Sequence, residues 1–396
     1  MQRYVVAFKK GVDPSQMATT LNVAATQFVD ACDHLQECTK GLEPERILHF
    51  PEIGVVSATL PEDEAERLRN DPRVASVRIS REIASTPFVE KLTDARLKIL
   101  TELALPPWHV LLVNADKCWP KTTGKGIKVG VIDSEIDKDL PYLPIVEGAS
   151  FHPDAPDWFG TDDFHGTFCA GIIGCRNTNP RMVGIAPECD LYALRVNKNN
   201  SGRSEYIAAA MTWAARNKLD VVSLSQWDPN GASDPHEPPW DDVAAASDLL
   251  TQSGCIVIGI AGNSGAFPNH WVSNPGRCPQ VIAVGATNRD FTWWDESSYG
   301  PPDLPEESSV EITAPGNEIL SIFPKGQYGV GRGTSFAAPQ VAGACALIRQ
   351  LRHDLKPDDL RSRIKQTTKN LDPAGRDEKF GAGFLDCEKA ISDLIA

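Results

Sequence analysis

The chain has 396 residues, a length that suits one large domain plus a small one and gives ample material for an apolar core. Hydrophobic residues make up 41% and charged residues 23%, which is ordinary for a globular protein and argues against a fibrous repeat or extensive disorder. The formal net charge of -14 repels phosphate backbones, and no apolar run approaches the roughly 20 residues of a membrane helix, so we expect neither nucleic-acid nor membrane partners.

The first 85 residues alternate short β-branched runs with segments of helical apolar spacing, which predicts a small α+β domain. Residues around His49 would add one more strand and give the βαββαβ order of a ferredoxin-like unit. The predicted strands are Tyr4–Lys9, Gly54–Leu60 and Val74–Ile79, and the predicted helices are Pro14–Cys32 and Glu62–Asn70.

The N-terminal residues and the cysteines indicate in which cellular compartment the protein resides. Met1 to Phe8 pass directly into a strand-like run, without the basic stretch and apolar segment of a signal peptide. The ten cysteines are scattered and include no CxxC pair, so their spacing does not require a disulfide framework. We therefore expect a cytoplasmic protein, with secretion as the alternative if a leader has been removed.

Residues 86–106 are predicted to form a helical connector. Leu92, Leu97, Leu100 and Leu103 recur at near-helical spacing, and prolines at positions 87, 106 and 107 bracket the segment. The favoured interpretation is a surface helix packed by its leucines, and the alternative is a docking helix for a partner.

From residue 107 to 396, compact apolar runs of the kind buried on both faces alternate with helical patterns. This alternation predicts an α/β domain with a mostly parallel sheet covered by helices on both faces. The predicted strands are Ile127–Ile132, Leu191–Val196, Val221–Leu224, Ile256–Ile260 and Val281–Ala286, and the predicted helices are Ser204–Lys218, Asp241–Gln252, Ser335–Leu351, Asp358–Thr367 and Asp386–Ile395.

Four polar residues stand where strands end or helices begin in this domain. Asp133 follows a predicted strand, where a carboxylate can orient a histidine. His165 lies among small residues at a helix start, and imidazole can take and return a proton near neutral pH. Ser335 begins a helix whose free N–H groups favour an oxyanion, and Asn263 offers a side-chain amide to the same charge.

The segments around these residues resemble the signatures of the subtilisin-like serine proteases, or subtilases. They are Lys128–Asp133, Asp163–Gly171, Ile260–Gly265 and Gly331–Gly343, and their Asp, His, Ser order is that of the family. The resemblance implies a serine endopeptidase that acts on peptide or protein substrates. It assigns Ser335 as nucleophile, His165 as general base and acid, Asp133 as its orienter and Asn263 as oxyanion donor.

The resemblance also implies where a substrate lies. In the family an extended peptide pairs with two strand edges, and its P1 residue, which precedes the scissile bond, lies between the second edge and the oxyanion segment. Trp227 replaces a family glycine here, and it is predicted either to narrow the cleft or to be a packing residue. The implied substrate contacts are Ser201, Gly202, Ser223, Leu224, Ser225, Trp227, Ala261 and Gly262.

Residues 1–85 are similar to the inhibitory, fold-assisting prosegment of subtilases at Tyr4–Phe8, Gly54–Ala58 and Asp71–Val77. In the family the end of the prosegment lies in the cleft and is cut there, which makes this chain's own N-terminal domain a partner of its active site. The aligned cleavage point is Thr86-Pro87, and a proline after the scissile bond makes a poor substrate. We therefore expect later cleavage or none.

The family's catalysis implies no required cofactor, although many subtilases bind calcium at a loop after the histidine helix. The matching loop, Arg176–Pro180, keeps oxygen-bearing side chains but brings in the cations Arg176 and Arg181. Calcium needs several oxygen ligands and is opposed by nearby cations. We assign no metal ligand, and a bound calcium ion is the less favoured outcome.

Three functional hypotheses follow. The favoured one is an active endopeptidase made as a zymogen with an attached propeptide. The second is a catalytically silent or permanently inhibited module that holds peptides in its cleft. The third, a nucleotide-binding protein suggested by Gly124–Gly130, is weak because those glycines precede the predicted strand, whereas a phosphate-binding loop follows one.

Overall fold

The structure is a computed structural model, and it describes residues 1–37, 45–85, 88–93, 97, 106–178, 182–228, 238–267, 270–300, 309–371 and 377–394. These residues form a small N-terminal unit and a large α/β unit. The large unit confirms the predicted fold class, because its main sheet is parallel and is packed by helices.

The N-terminal unit is a five-stranded sheet in the order β2-β3-β4-β1-β5. The single helix predicted over Pro14–Cys32 is wrong: Asn22 adopts a left-handed φ of 55°, which ends the first helix, and a short strand follows. The elements are β1 (Gln2–Phe8), α1 (Pro14–Thr20), β2 (Phe28–Asp30), α2 (Ala31–Glu37), β3 (Ile47–Phe50), β4 (Val55–Leu60), α3 (Glu62–Arg69) and β5 (Val74–Ile79).

Two short strands, β6 (Glu82–Ile83) and β7 (Phe88–Lys91), carry the chain from this unit onto the larger one. The prediction of a helix starting at Val89 is wrong for these residues, since β7 adds antiparallel to an open strand edge at residues 327–332. Residues 94–96 and 98–105 of the predicted connector lie outside the described residues.

The large unit alternates strands and helices as predicted. Its elements are α4 (Trp108–Leu112), β8 (Lys128–Asp133), β9 (Ile145–Ser150), α5 (His165–Gly174), β10 (Asp190–Arg195), β11 (Asn197–Lys198), β12 (Ser201–Arg203), α6 (Ser204–Arg216), β13 (Val221–Leu224), α7 (Asp241–Gln252), β14 (Ile256–Ile260), β15 (Val281–Thr287), β16 (Ile312–Pro315), β17 (Ile319–Phe323), β18 (Gln327–Arg332), α8 (Thr334–Leu351), α9 (Pro357–Gln366) and α10 (Cys387–Ile391). All nine cysteines among the described residues are buried free thiols.

Seven strands form a parallel sheet in the order β16-β15-β14-β13-β8-β10-β9. In β14, Ile256, Ile258 and Ile260 pack in one apolar cluster and Val257 packs in the other, so both faces of the strand are buried. Burial on both faces explains the continuous apolar runs in the sequence. Because the strands are parallel, their carboxyl ends meet at one edge, which is where ligands bind in open α/β sheets.

The long helix α8 packs against β13 to β16 and against α5, and its residues from Thr334 to Arg349 are all buried. Small residues allow this close packing: a Cβ on Gly343 would lie 2.6 Å from Cβ of Ile185. Even so, no helix within the described ranges is both long and apolar enough to span a bilayer.

The N-terminal unit docks on the first turns of α6 and α7 through ion pairs. Glu205 Oε1 lies 3.3 Å from Arg3 Nε, and both side chains are buried. Arg78 Nε lies 2.9 Å from Asp241 Oδ2, and its Nη2 lies 3.8 Å from Asp242 Oδ1. Burial raises the pKa of the Asp242 carboxyl to about 6, despite the opposing effect of Arg78, so this charge is held at a cost.

Replacing Asp242 with asparagine is expected to stabilise the protein above pH 6. A carboxyl whose pKa is raised by folding loses stability as the pH rises from its unfolded pKa to its folded pKa, and the loss stays constant above that. We expect the free energy of unfolding to rise by up to about 3 kcal/mol at pH 8 and hardly at all near pH 4. Denaturant unfolding at both pH values measures this. Asp241→Asn is the matched control, and a loss of stability in Asp242→Asn at pH 8 would contradict the prediction.

Candidate active site

Asp133 and His165 form a buried hydrogen-bonded pair. Asp133 is the last residue of β8, which has neighbours on both sides in the sheet, and His165 is the first residue of α5. Asp133 Oδ1 lies 2.6 Å from His165 Nδ1. A carboxylate can only accept here, so Nδ1 donates its proton and Nε2 is left as the basic nitrogen.

The start of α5 packs closely against the end of β8. A Cβ on Gly166 would lie 2.6 Å from the carbonyl oxygen of Ser134, so glycine is required at this approach. The main-chain N–H of His165 donates to Asp163 Oδ1 at 2.9 Å, which fixes the first turn. Burial by itself lowers the pKa of the His165 imidazole, but the Asp133 carboxylate outweighs burial, and the pKa lies well above its ordinary value.

Ser335 is the second residue of α8, and the helix is preceded by Gly333, whose φ of 154° lies at the edge of the region that favours glycine. The side chain of Ser335 is fully buried. Cys169 lies between the Ser335 main chain and the histidine. The Sγ atom of Cys169 lies 3.4 Å from the carbonyl oxygen of Ser335 and 4.0 Å from His165 Nδ1. The start of α8 is therefore packed against the first turns of α5.

The Asn263 amide is held by the residue that precedes Ser335. Asn263 Oδ1 accepts hydrogen bonds from the main-chain N–H of Thr334 at 2.9 Å and from Thr334 Oγ1 at 2.8 Å. The main-chain N–H can only donate, so it identifies Oδ1 as the acceptor and leaves Nδ2 pointing elsewhere.

Each of the four candidate residues has one buried polar atom without a hydrogen-bond partner among the described residues: Ser335 Oγ, His165 Nε2, Asn263 Nδ2 and Asp133 Oδ2. The hydroxyl and Nε2 are thus not bonded to each other, as is common for catalytic pairs outside the substrate complex. Buried polar atoms are nearly always paired, and each exception calls for an explanation. A hydroxyl, a base and an amide donor around one helix start are the groups that acyl transfer needs.

Sequence reasoning missed Glu135, two residues after Asp133. Its carboxylate lies 2.6 Å from Arg195 Nη2 and accepts the main-chain N–H of Asp162 at 2.6 Å. A buried carboxylate is costly unless it is paired, and this pairing fixes the loop that leads into His165. The available signal was an acidic residue directly after a buried strand.

The N-terminal chain itself occupies the first predicted substrate edge. β6 pairs antiparallel with β12, where Ile83 stands opposite Gly202, and Ser201 precedes it on the exposed side. Ala84 then exchanges two main-chain hydrogen bonds with Trp227, with N···O distances of 3.0 and 3.1 Å. We call residues 82–85 the tail, and it adds a strand to both walls of the cleft.

The second edge lies later in the chain than predicted. Ser223 and Leu224 are inside β13, with β8 and β14 paired on either side, so a substrate strand cannot add there. Ser225 is buried, and its Oγ donates to the carbonyl of Ser335 at 3.1 Å. The sheet pairing ends at Leu224, so the edge is formed by the residues that follow, among which Trp227 pairs with Ala84.

Ala261 and Gly262 connect β14 to Asn263, as predicted from the order of the segments. The carbonyl of Ala261 accepts the N–H of Ser273 at 3.1 Å, and the carbonyl of Gly262 accepts the N–H of Ser298 at 2.9 Å. Gly262 has a φ of 111°, which strains any other residue.

The predicted calcium loop falls partly outside the described residues, which include 176–178 but not Pro180 or Arg181. The three described residues are exposed, contribute no carboxylate and include a cation, so they do not fit a calcium site. Within the described residues, one group of ligand-type side chains is close enough to share an ion: Asp133, His165 and Cys169. These surround the candidate reactive centre.

Comparison with known proteins gives one family. The family model described as "Subtilase family" matches residues 124–383. Subtilisin E of Bacillus subtilis (strain 168) is 30% identical over 395 residues, which cover 98% of this chain and 90% of the relative. An alkaline protease of Shouchella clausii is 31% identical over 376 residues, which cover 93% of this chain and 88% of the relative.

Proposed function

The chain belongs to the subtilase family and is a serine-type endopeptidase, and from this premise we propose that it is made as an autoinhibited precursor. In this proposal residues 1–85 are the inhibitory prosegment, residues 86–106 the connector and residues 107–396 the catalytic domain. The observation that carries it is the tail, which pairs with Gly202 on one side and with Trp227 on the other. A peptide substrate would need both edges.

We propose the following roles at the reactive centre. Ser335 Oγ attacks the peptide carbonyl while His165 Nε2 takes its proton, and Asp133 stabilises the resulting imidazolium. Asn263 Nδ2 and the main-chain N–H groups at the start of α8 donate hydrogen bonds to the oxyanion and stabilise its negative charge. His165 then protonates the leaving amine, and water releases the acyl group by the same steps in reverse. The pairing of Asp133 with His165 at 2.6 Å supports this assignment.

The position of the tail supports direct obstruction of that centre. Ser85 donates its hydroxyl to Asn200 Oδ1 at 2.9 Å. Ser85 and His165 line the same cavity of ≈ 240 Å³. The next two residues, Thr86 and Pro87, lie outside the described residues. We propose that Pro87 makes the bond after Thr86 a poor substrate. A chain that is not cut there keeps its own inhibitor at high effective concentration.

The alternative of a catalytically silent peptide-binding module gains no support from the relatives, since their names describe proteases. The candidate nucleophile, base, orienter and oxyanion donor are all present in this chain. A fluorophosphonate probe separates the two functions, because it reacts only with an activated serine.

Labelling of Ser335 tests the proposal on the full chain. Ile83→Asp places a charge at a buried pairing position, and Ala84→Pro removes the N–H that donates to Trp227. We call the chain with both changes the released chain. We expect its labelling rate to exceed that of the unmodified chain at least 10-fold, because the tail no longer competes for the edges.

Two controls complete this test. Ser335→Ala in the released chain reports labelling elsewhere, and Lys10→Ala in the unmodified chain reports the effect of a change at an exposed position of the N-terminal unit. An equal labelling rate in the released and unmodified chains would contradict autoinhibition. Absence of Ser335 labelling in both would contradict the catalytic assignment.

We expect peptidase activity of the released chain to rise with pH on the alkaline side. His165 must be neutral to act as a base, and its pKa lies well above the ordinary 6.5 because of Asp133. Release of the tail exposes His165 further and so reduces the lowering of its pKa by burial. The pKa of His165 is therefore expected to stay above 6.5 in the released chain. A profile of kcat/KM between pH 5 and 10 measures it, and a plateau already reached below pH 6.5 would contradict the prediction.

A further inference from the structure

Trp227 is a bulky residue at a point where the family resemblance implies glycine. Its backbone faces the tail, through the two hydrogen bonds with Ala84. Its side chain is only 7% exposed. An indole this well buried beside a substrate edge fills space that a glycine would leave open to substrate.

The ring reaches the opposite wall of the cleft. A Cβ built on Gly262 would lie 3.3 Å from Cε3 of Trp227, so the indole occupies the space next to Gly262 that a side chain there would need. Gly262 immediately precedes Asn263, whose Oδ1 is bonded to Thr334. The indole therefore spans from the end of the β13 segment to the segment that carries the proposed oxyanion donor.

Strand register identifies which substrate residue meets the indole. The bridge between Ala84 and Trp227 is antiparallel, so a substrate bound in the same register would place the residue two positions after the one opposite Trp227 level with Ser225. Ser225 contacts the carbonyl of Ser335 at 3.1 Å, which puts that level beside the reactive serine. The family resemblance implies that this substrate residue is P1 and that its side chain lies between the Ser225–Trp227 segment and the Ala261–Gly262 segment.

We propose that Trp227 fills most of the P1 pocket and restricts this peptidase to substrates with small P1 side chains such as glycine, alanine, serine or threonine. The inference rests on the proposed function of the cleft. Tryptophan is among the largest side chains, and a pocket it occupies has no volume left for a phenylalanine or leucine. The chain's own sequence agrees, since the residue two positions after Ala84 is a threonine.

Peptide hydrolysis by the released chain tests the proposal. The substrates are tetrapeptide anilides that differ only at P1, with glycine, alanine, threonine, leucine or phenylalanine. We expect kcat/KM for alanine to exceed that for phenylalanine at least about 100-fold, since differences of one methylene already change rates 10-fold or more. In Trp227→Gly the ratio of phenylalanine to alanine should rise at least about 100-fold, with Trp227→Val between the two.

A binding measurement keeps this result separate from catalysis. Titration of the same peptides, with free carboxyl ends, into the released chain that also carries Ser335→Ala reports the pocket without chemistry. Weaker binding of the phenylalanine peptide than of the alanine peptide supports the proposal for Trp227. Absence of turnover of every substrate would count against the proposed function and not against this binding result. Equal preference for phenylalanine and alanine in the chain with Trp227, by rate or by binding, overturns the proposal.

Discussion

Ser335→Ala in the released chain is expected to lower kcat by on the order of 10⁶-fold, the size measured for the nucleophile of a subtilisin triad. The hydroxyl is the one atom of the set that forms the covalent acyl bond. It is also buried and without a partner among the described residues, so its removal breaks no hydrogen bond there. The loss should therefore appear in kcat and leave the folded state as stable as before.

His165→Ala and the double variant His165→Ala with Ser335→Ala should lose about as much as Ser335→Ala alone, because the two groups act as one unit. Ser247→Ala is the matched control: Ser247 is a buried helical serine on α7 whose Oγ donates to Ala244. It should keep kcat within a few-fold. A residual activity in Ser335→Ala above a hundredth of the starting value would contradict the assignment of the nucleophile.

The strands buried on both faces were predictable because their sequence has to satisfy apolar packing at every position. Val221–Leu224 and Ile256–Ile260 have the bounds that the sequence predicts. The helix Asp241–Gln252 agrees as well, since its apolar residues recur at helical spacing. Local pattern and tertiary burial point to the same structure in these elements.

Other elements depend on partners that are distant in the chain. β9 lies at the sheet edge and exposes part of Ile145–Ser150, so it lacks the apolar run that marks its neighbours. β7 forms because it pairs with the open edge of β18, more than 230 positions later in the chain. At Val89 this pairing overrides the helix that the spacing of the following leucines predicts. Propensity is a weak prior against such pairing.

In the active site, too, some features follow from local sequence and others depend on distant contacts. The side-chain types of Asp133, His165, Asn263 and Ser335 carry the chemistry, and motif order suffices to propose them. The direction in which Trp227 packs, the pairing of Glu135 with Arg195 and the shift of the second edge past Leu224 are set by segments that meet only in the folded chain. No local pattern encodes these contacts.

Asn263→Ala in the released chain is expected to lower kcat by about 10²- to 10³-fold, or about 3 to 4 kcal/mol, with little change in KM. An oxyanion exists only in the transition state and the tetrahedral intermediate, so its donor adds little to the binding of the substrate. The Oδ1 bonds to Thr334 hold the amide in place before the charge forms, which spares reorganisation during the reaction.

Asn263→Asp separates this donor role from the anchoring of Thr334. Aspartate keeps an oxygen that accepts from the N–H and Oγ1 of Thr334, but it replaces the Nδ2 donor with a second acceptor that repels the oxyanion. If the donor matters, kcat should fall at least as far in Asn263→Asp as in Asn263→Ala, and Thr334→Ser, which keeps both bonds, should stay within a few-fold of the released chain. An Asn263→Asp variant that retains most of its kcat would show instead that Asn263 serves only to hold the start of α8, and the oxyanion would then depend on the main-chain N–H groups of that helix.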